Sequence, residues 1–379
     1  MARFKCALCG HSVATTELAW RCDRCGGHLN VEGTAPLKRS DIDGSKRSLW
    51  RYQHALAHQG AIHVSLGEGF TPLIESRWGK AQVHWKCEFV SISGSFKDRG
   101  ASVMLNHLID NGVDKVAEDS SGNGGAAVAA YAAAADLSCR IYVPEATSPG
   151  KITQIAAVGA EVIRIGGSRQ AVAEAAMADD SGYFYASHNW HPLFVDGIKT
   201  VGYELWEQFD FAVPDVIVAP TGGGSNLLGC YLAFSDLKAT GTIDRLPRLY
   251  GAQSENCEPI AKAFAAGAQM FIPVVSRATI AEGIAVSQPV RSRELLAAIR
   301  KTKGAVRSVP EDAIAQAHLK LARRGIYVEP TTATAVALLD RLLEEGEVRP
   351  QERIVIILTG SGLKAGDLIS KLLARGGAG

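Results

Sequence analysis

Val216-Ile217-Val218-Ala219-Pro220 runs directly into Thr221-Gly222-Gly223-Gly224-Ser225-Asn226. The apolar run is short and shows no polar alternation, as expected of a central strand covered on both faces of a parallel sheet. Successive glycines can take positive φ and turn their N–H groups inward as an anion nest. The helix expected over residues 226–236 would add the positive end of its dipole. The stretch therefore reads as strand, anion-holding turn and helix, although an ordinary tight strand–helix turn has a similar composition. It lacks the Gly-Lys-Ser/Thr of a nucleotide P-loop and is not Gly-x-Gly-x-x-Gly, so neither a nucleoside triphosphate nor a dinucleotide is favoured.

The same alternation extends outward. Strands are expected over 115–119, 140–143, 161–165 and 353–358, and helices over 126–135, 149–158, 168–179 and 195–209. Such alternation predicts an α/β protein with doubly wound sheets. Ligands bind beyond the carboxyl ends of strands in these sheets. The polar turns after Asp119, Pro220 and Leu358 all lie at such ends.

Bulk properties set limits. At 379 residues, more than one domain is expected. Hydrophobic residues make up 47% and charged residues 21%, ordinary for a soluble globular chain. A formal charge of +1 gives no global drive toward nucleic acid or acidic membranes. No apolar run reaches the roughly 18 residues of a membrane span, and the N-terminus lacks a secretory apolar core. A cytoplasmic location is the resulting expectation, with the eight cysteines reduced. The glycine-rich tail, 376–379, is expected to fray.

Cys6-Ala-Leu-Cys9 and Cys22-Asp-Arg-Cys25 are two knuckles, each followed by a glycine. Four thiolates at this spacing can surround Zn²⁺ as a closed structural site. The alternatives are disulfides or free thiols, and a nucleic-acid ribbon. A reducing compartment disfavours the first. Mixed charge without a basic–aromatic stripe disfavours the second.

Three further positions carry chemistry. Lys97 lies in Ser93-Gly94-Ser95-Phe96-Lys97-Asp98-Arg99-Gly100, where small neighbours leave its amine able to reach a cofactor aldehyde. An arbitrary lysine is more often a surface charge. Asn123, in Ser120-Ser121-Gly122-Asn123-Gly124-Gly125, opens a helix and suits an N-cap equally well. Thr359, in Thr359-Gly360-Ser361-Gly362, ends the last apolar run and also fits a plain turn.

Taken in this chain order, Lys97, Asn123, the glycine loop and Thr359 resemble the pyridoxal-phosphate enzymes of the tryptophan-synthase-β fold. The wording is closest to the threonine synthases, from about Leu66 to about Leu368. Leu66-Gly67-Glu68-Gly69-Phe70-Thr71-Pro72-Leu73 is similar to a motif of that family, though a Gly/Pro turn reads alike. Ile280-Ala281-Glu282-Gly283-Ile284-Ala285 is similar to the segment beside its cofactor ring, and Val328-Glu329-Pro330-Thr331 to a helix start near its site. Glu282 suits a surface carboxylate as well, and Pro330 a plain helix opening.

The resemblance implies two α/β domains of that type behind a small zinc ribbon. The boundaries expected are 1–32 for the ribbon, 33–64 for a linker, 65–105 with 206–379 for a large cofactor domain, and 106–205 for a small one. It implies pyridoxal 5'-phosphate bound covalently at Lys97. Its phosphate would lie on Gly222, Gly223, Gly224, Ser225 and Asn226, its 3-oxygen on Asn123 and its pyridine nitrogen on Thr359. Ser121, Gly122, Asn123 and Gly124 would take the substrate carboxylate. A neutral hydroxyl at the pyridine nitrogen makes a weaker electron sink, which favours side-chain elimination or replacement over transamination. Cys6, Cys9, Cys22 and Cys25 would hold structural zinc, and a homodimer is the common expectation.

One segment departs from the family. Threonine synthases usually carry Asn-Pro-x-Arg-x-x-Gly-Gln-Lys-Thr, whose arginine grips the substrate phosphate. This chain has His191-Pro192-Leu193-Phe194-Val195-Asp196-Gly197-Ile198-Lys199-Thr200. A phenyl ring makes no bidentate phosphate contact, and His188, His191 and Lys199 are the candidates for a different grip. Ser91-Ile92-Ser93 likewise replaces the usual Asn-Pro-Thr. The activity expected is a lyase most like threonine synthase, converting O-phospho-L-homoserine and water to L-threonine and phosphate. The alternative is β-elimination from an unphosphorylated amino acid such as threonine, serine or diaminopropionate. A non-catalytic protein that keeps the fold is the third reading.

Overall fold

The structure, a computed structural model, describes residues 2–147 and 149–376. The end of the tail expected to fray, 377–379, lies outside the described residues. The chain divides into two compact units, one holding the segment up to Phe70 together with Ser91–Thr200, the other Thr71–Val90 and the chain from Val201 onward. Elements are numbered along the whole chain.

The first unit opens with a small antiparallel sheet, β1 (Arg3–Cys6) flanked by β2 (Ser12–Ala14) and β3 (Leu29–Glu32). Phe4, Cys6, Val13, Cys22 and Leu29 are buried in one core with Trp50, Met104 and Leu193. Fully burying a side chain such as Phe4 stabilises by about 1.5–3 kcal/mol, so the ribbon is anchored through its own core. A 3-10 turn, Leu49–Ala55, follows, opened by Ser48, whose hydroxyl accepts from Trp50 N at 3.4 Å.

Next comes a four-stranded parallel sheet of order β8-β7-β6-β9, made of β6 (Lys115–Glu118), β7 (Ser138–Pro144), β8 (Glu161–Ile165) and β9 (Phe184–Tyr185). Its helices are α1 (Lys97–Asp110), α2 (Asn123–Ala134), α3 (Pro149–Ala157) and α4 (Arg169–Met177), and α5 (Pro192–Gln208) begins in this unit. The alanines and glycines of α2 permit close approach: a Cβ on Gly125 would lie 1.9 Å from the Ser120 carbonyl oxygen.

The second unit is built on a six-stranded sheet of order β12-β11-β10-β13-β5-β4. Its strands are β4 (Leu73–Trp78), β5 (Ala81–Lys86), β10 (Val216–Pro220), β11 (Arg248–Ser254), β12 (Ala305–Val309) and β13 (Ile354–Ile357). Every residue of β10 and β13 is buried, which matches the reading of both as central strands. The parallel expectation fails at one edge, where β4 pairs antiparallel with β5. The reason is local: Gly79 adopts φ 59 in a two-residue turn, a conformation that closes a hairpin. Helices α6 (Ser225–Ala239), α7 (Pro259–Ala265), α8 (Ser292–Lys301), α9 (Glu311–Ala322), α10 (Pro330–Glu344) and α11 (Gly366–Gly376) complete the unit. Lys86 is wholly buried. It pairs with Glu204 and donates to the Thr71 carbonyl at 2.7 Å and to Gln208 Oε1 at 2.8 Å.

Candidate active site

In the first unit Lys97 is the opening residue of α1. The turn before it is held on two sides. Ser93 donates through its amide (2.9 Å) and its hydroxyl to Asp98, and Gln154 Nε2 donates to the Ser93 carbonyl at 2.9 Å. Gly94 supplies the left-handed turn at φ 83. Lys97 Nζ lies 4.9 Å from the ring centre of Phe96 and 5.5 Å from that of Phe194. Ser91 Oγ and Ser95 Oγ, in the same turn, are buried without a hydrogen-bond partner.

Asn123 is the first helical residue of α2, and Gly122 occupies the cap position with no side-chain cap. The turn Ser121–Gly124 thus presents the amino end of α2, suited to a carboxylate. Against it lies His188. A Cβ on Gly124 would come within 2.6 Å of His188 Nδ1, so only glycine leaves room for the ring. His188 Nδ1 is 2.6 Å from Glu118 Oε1, and the His188 amide donates to Glu118 Oε2 at 2.8 Å. Burial pushes the Glu118 carboxyl up to about 7, against the pull of the His188 amide, Arg169 and Lys97. Burial, with the Lys97 charge, holds the His188 imidazole well below its usual range.

The candidates for a replacement anion grip separate cleanly. His191 is buried, its ring packed edge-on to Phe4 and Phe184. Lys199 is buried, donating to the Ala55 carbonyl at 2.8 Å and lying 3.0 Å from Asp196. Both are structural, and His188 alone faces the Asn123 turn. Phe194 is fully buried, and a Cβ on Gly100 would meet its ring at 2.5 Å. Glu68 of the Gly-Glu-Gly motif is also structural. It accepts from Trp50 Nε1 (2.8 Å), Ser102 Oγ (2.5 Å), Tyr131 OH (2.8 Å) and Leu66 N (2.8 Å).

In the second unit β10 and β13 are parallel neighbours, which puts the glycine loop and Thr359 at the same carboxyl edge. Gly224 caps α6 in the left-handed conformation at φ 78. A Cβ on Gly222 would lie 3.0 Å from Ile284 Cα, so the strap 280–286 runs against the loop. That strap is tied to the start of α10, where Thr331 Oγ1 accepts from Gly283 N at 3.0 Å and Pro330 stands at the first helical position. Glu282 is exposed. Thr359 is buried, its hydroxyl 2.9 Å from that of Thr332.

These residues suit a pyridoxal-phosphate group. Asn226, 3% exposed, has an Oδ1 with no partner. Turned over, its amide would offer N–H donors beside the free amides of the α6 terminus. The orphaned serine hydroxyls near Lys97 are further unused polar atoms for a ligand to satisfy.

The four ribbon thiols fit a metal. Cys6 and Cys25 Sγ are 3.4 Å apart, Cys9 and Cys22 Sγ 3.7 Å, and all four sulfurs lie within 4.8 Å of one another. A tetrahedron of Zn–S bonds of about 2.3 Å has edges of about 3.8 Å. The Gly27 amide pulls the Cys25 thiol down, but hydrogen bonding with the neighbouring sulfurs of Cys6 and Cys9 pushes it up to about 12. No cysteine is in a disulfide.

Fold and side chains define an α/β protein with a lysine opening one helix and an amide-lined glycine turn opening another. The chain belongs to the family of pyridoxal-phosphate dependent enzymes, which it matches over residues 64–360. It is 33% identical to a threonine synthase of Methanocaldococcus jannaschii, over 96% of this chain and 93% of the relative. It is 34% identical to one of Methanosarcina acetivorans, over 96% and 92%. Among solved structures it is similar to maize serine racemase, with a TM-score of 0.67 and 26% identity over 80% of this chain and 92% of that one.

Proposed function

We propose that the chain is a pyridoxal-phosphate-dependent lyase of threonine-synthase type, acting on O-phospho-L-homoserine and water to give L-threonine and phosphate. What carries this reading is that relatives so named align with nearly the full chain. Bound pyridoxal phosphate supplies an electron sink that makes the α-proton of an amino acid removable. Lys97 would hold the cofactor's aldehyde carbon and, once displaced by the substrate amine, move that proton. Gly222, Gly223, Gly224, Ser225 and Asn226 would hold the phosphate through the α6 amides, Asn123 the ring oxygen and Thr359 the ring nitrogen. Thr332 fixes the Thr359 hydroxyl at 2.9 Å, and a neutral hydroxyl at the ring nitrogen is consistent with elimination and replacement at the side chain. Ser121, Gly122, Asn123 and Gly124 would orient the substrate carboxylate on the α2 amino end.

Phe194 favours a second reading. Fully buried where the family has its phosphate-gripping arginine, it offers an apolar wall. That suits β-elimination from an unphosphorylated amino acid, giving a keto acid and ammonia. Purified protein loaded with cofactor is to be assayed for phosphate release from O-phospho-L-homoserine and for keto-acid release from L-threonine and L-serine. Phosphate release with threonine formation is expected. Keto acid without phosphate release would replace the first reading by the second.

The remaining assignments belong to the same proposal: structural Zn²⁺ on Cys6, Cys9, Cys22 and Cys25, a cytoplasmic location that keeps those thiols reduced, and a homodimer.

A further inference from the structure

We propose that His188 and Glu118 form a proton-donating pair for the group that departs from the substrate's side chain, with His188 Nε2 as donor and Glu118 as the positioning residue behind it. The inference rests on the elimination chemistry proposed above. Geometry carries it. His188 Nδ1 is committed to Glu118 Oε1 at 2.6 Å, and a second bond of 2.8 Å from the His188 amide fixes the carboxyl plane. Nε2 is the ring nitrogen left for a ligand, on a side chain that keeps 11% exposure beside a fully buried Glu118. The ring lies flush on Gly124, in the turn that would take the substrate carboxylate. Both it and Lys97 lie by Phe194: the His188 ring centre is 5.7 Å from that of Phe194, and Lys97 Nζ 5.5 Å. Donor and base therefore sit around one phenyl ring within one unit. An alanine at position 124 would push the imidazole off this turn.

The proton count closes. The resting pair holds two mobile protons, one between Glu118 Oε1 and His188 Nδ1 and one on Nε2. As the leaving group departs with its bonding electrons, the Nε2–H bond breaks and the proton joins the leaving atom. The Glu118 proton shifts to Nδ1, so the pair ends as carboxylate and neutral imidazole. A proton from water restores it. The surroundings suit such storage. Burial raises Glu118 to about 7, and it faces Lys97 from α1, Cys139 from β7, Arg169 from α4 and Tyr185 from β9. Asp119, next in the chain, is itself engaged by Arg169 at 2.7 Å and the Tyr185 hydroxyl at 2.8 Å.

The test uses the holoenzyme and two arms. In the first, the cofactor absorbance band is titrated with pH without substrate. The wild type should show an inflection near 7 that Glu118→Gln abolishes and Glu118→Asp restores in shifted form. An inflection untouched by Glu118→Gln overturns the proposal. Should that variant not fold, nitrogen-15 NMR of the wild-type imidazoles reads the pair directly, and a His188 ring silent between about pH 5 and 9 has the same consequence. In the second arm L-serine, whose hydroxyl must be protonated to leave, is compared with β-chloro-L-alanine, whose chloride needs no proton. His188→Gln should lower kcat/KM for serine by about 100-fold or more but for chloroalanine by less than about 5-fold. Equal losses on both substrates refute the donor role. Turnover of neither by the wild type rules out the β-eliminating reading and leaves the threonine-synthase one standing, and the first arm then decides whether the pair stores a proton.

Discussion

On the proposed function, the chemistry concentrates at Lys97. Asp98, the neighbouring carboxylate, is spent on Ser93, so it is turned toward the preceding loop. The groups near the ammonium are aromatic, the rings of Phe96 and Phe194. Lys97→Ala should cut turnover by on the order of 10³-fold or more. Cofactor should still bind through the glycine loop, without surviving borohydride reduction and denaturation. Mass spectrometry of the reduced wild type should find the pyridoxyl group on residue 97. An adduct elsewhere, or steady-state activity in the variant, would remove the basis of the mechanism. The same scale shows what one sequence conceals. Phe194 could be read as a departure from the family, but its ring's fit against Gly100 could not, because the contact is made across residues 94 apart in the chain. Glu118 gave no signal at all. A carboxylate at the end of a strand looks like any other until His188 is folded onto it.

Elements with strong local patterns were legible. The expected strand over 161–165 and the fully apolar β10 and β13 appear where their composition put them, because an unbroken apolar run has no stable place outside a covered sheet. Helix α2 begins at Asn123, earlier than its alanine run suggested, since Gly124 and Gly125 are helical despite their poor propensity and are retained for close packing. The β4–β5 hairpin was hidden because Leu73–Trp78 lies largely exposed along an edge, without a regular in–out alternation, and pairs by register, which a single strand's pattern does not announce. Helix α1 carries a consequence of its own. His107 is buried on it, edge-on to Phe4 at 5.9 Å and to His58 at 6.1 Å. Burial, then the nearby His58, lowers it to about 4 from its ordinary 6.5. The unfolded chain therefore binds a proton there before the folded one does. Stability from neutral His107 is complete above pH 6.5 and is lost as pH falls toward 4, by about 3 kcal/mol. Urea midpoints measured from pH 7.5 down to 4.5 should fall less steeply for His107→Asn than for the wild type. Parallel curves would mean the ring is free to ionise in place.

At the scale of the molecule, the question is what the ribbon does for a catalytic fold that needs no metal for its chemistry. With the proposed zinc bound, a closed four-thiolate site would leave no position for substrate, so the part proposed for the metal is structural. Packing supplies another route, all of it inside the first unit. The ribbon's core residues continue into the core of α1 and α5. Trp20 lies edge-on to Tyr185 at 4.8 Å and to Trp190 at 5.6 Å, while Phe4 lies against His191 at 6.2 Å. These contacts bracket residue 188 on both sides. The ribbon strands are only three or four residues long, too short to persist alone, so losing the metal should release them and with them the segment 184–191. Stripping zinc with a strong chelator under reducing conditions should release about one ion per chain. It should lower the melting temperature, shift the tryptophan emission of Trp20 and Trp190 to the red, and change the circular dichroism of the cofactor band. If the metal-free protein kept its melting temperature and its cofactor dichroism, the ribbon would be an appended module with no hold on the site. A fall in stability with the cofactor signal intact would restrict its role to the fold, because the segment carrying His188 would then be held by β9 and α5 alone.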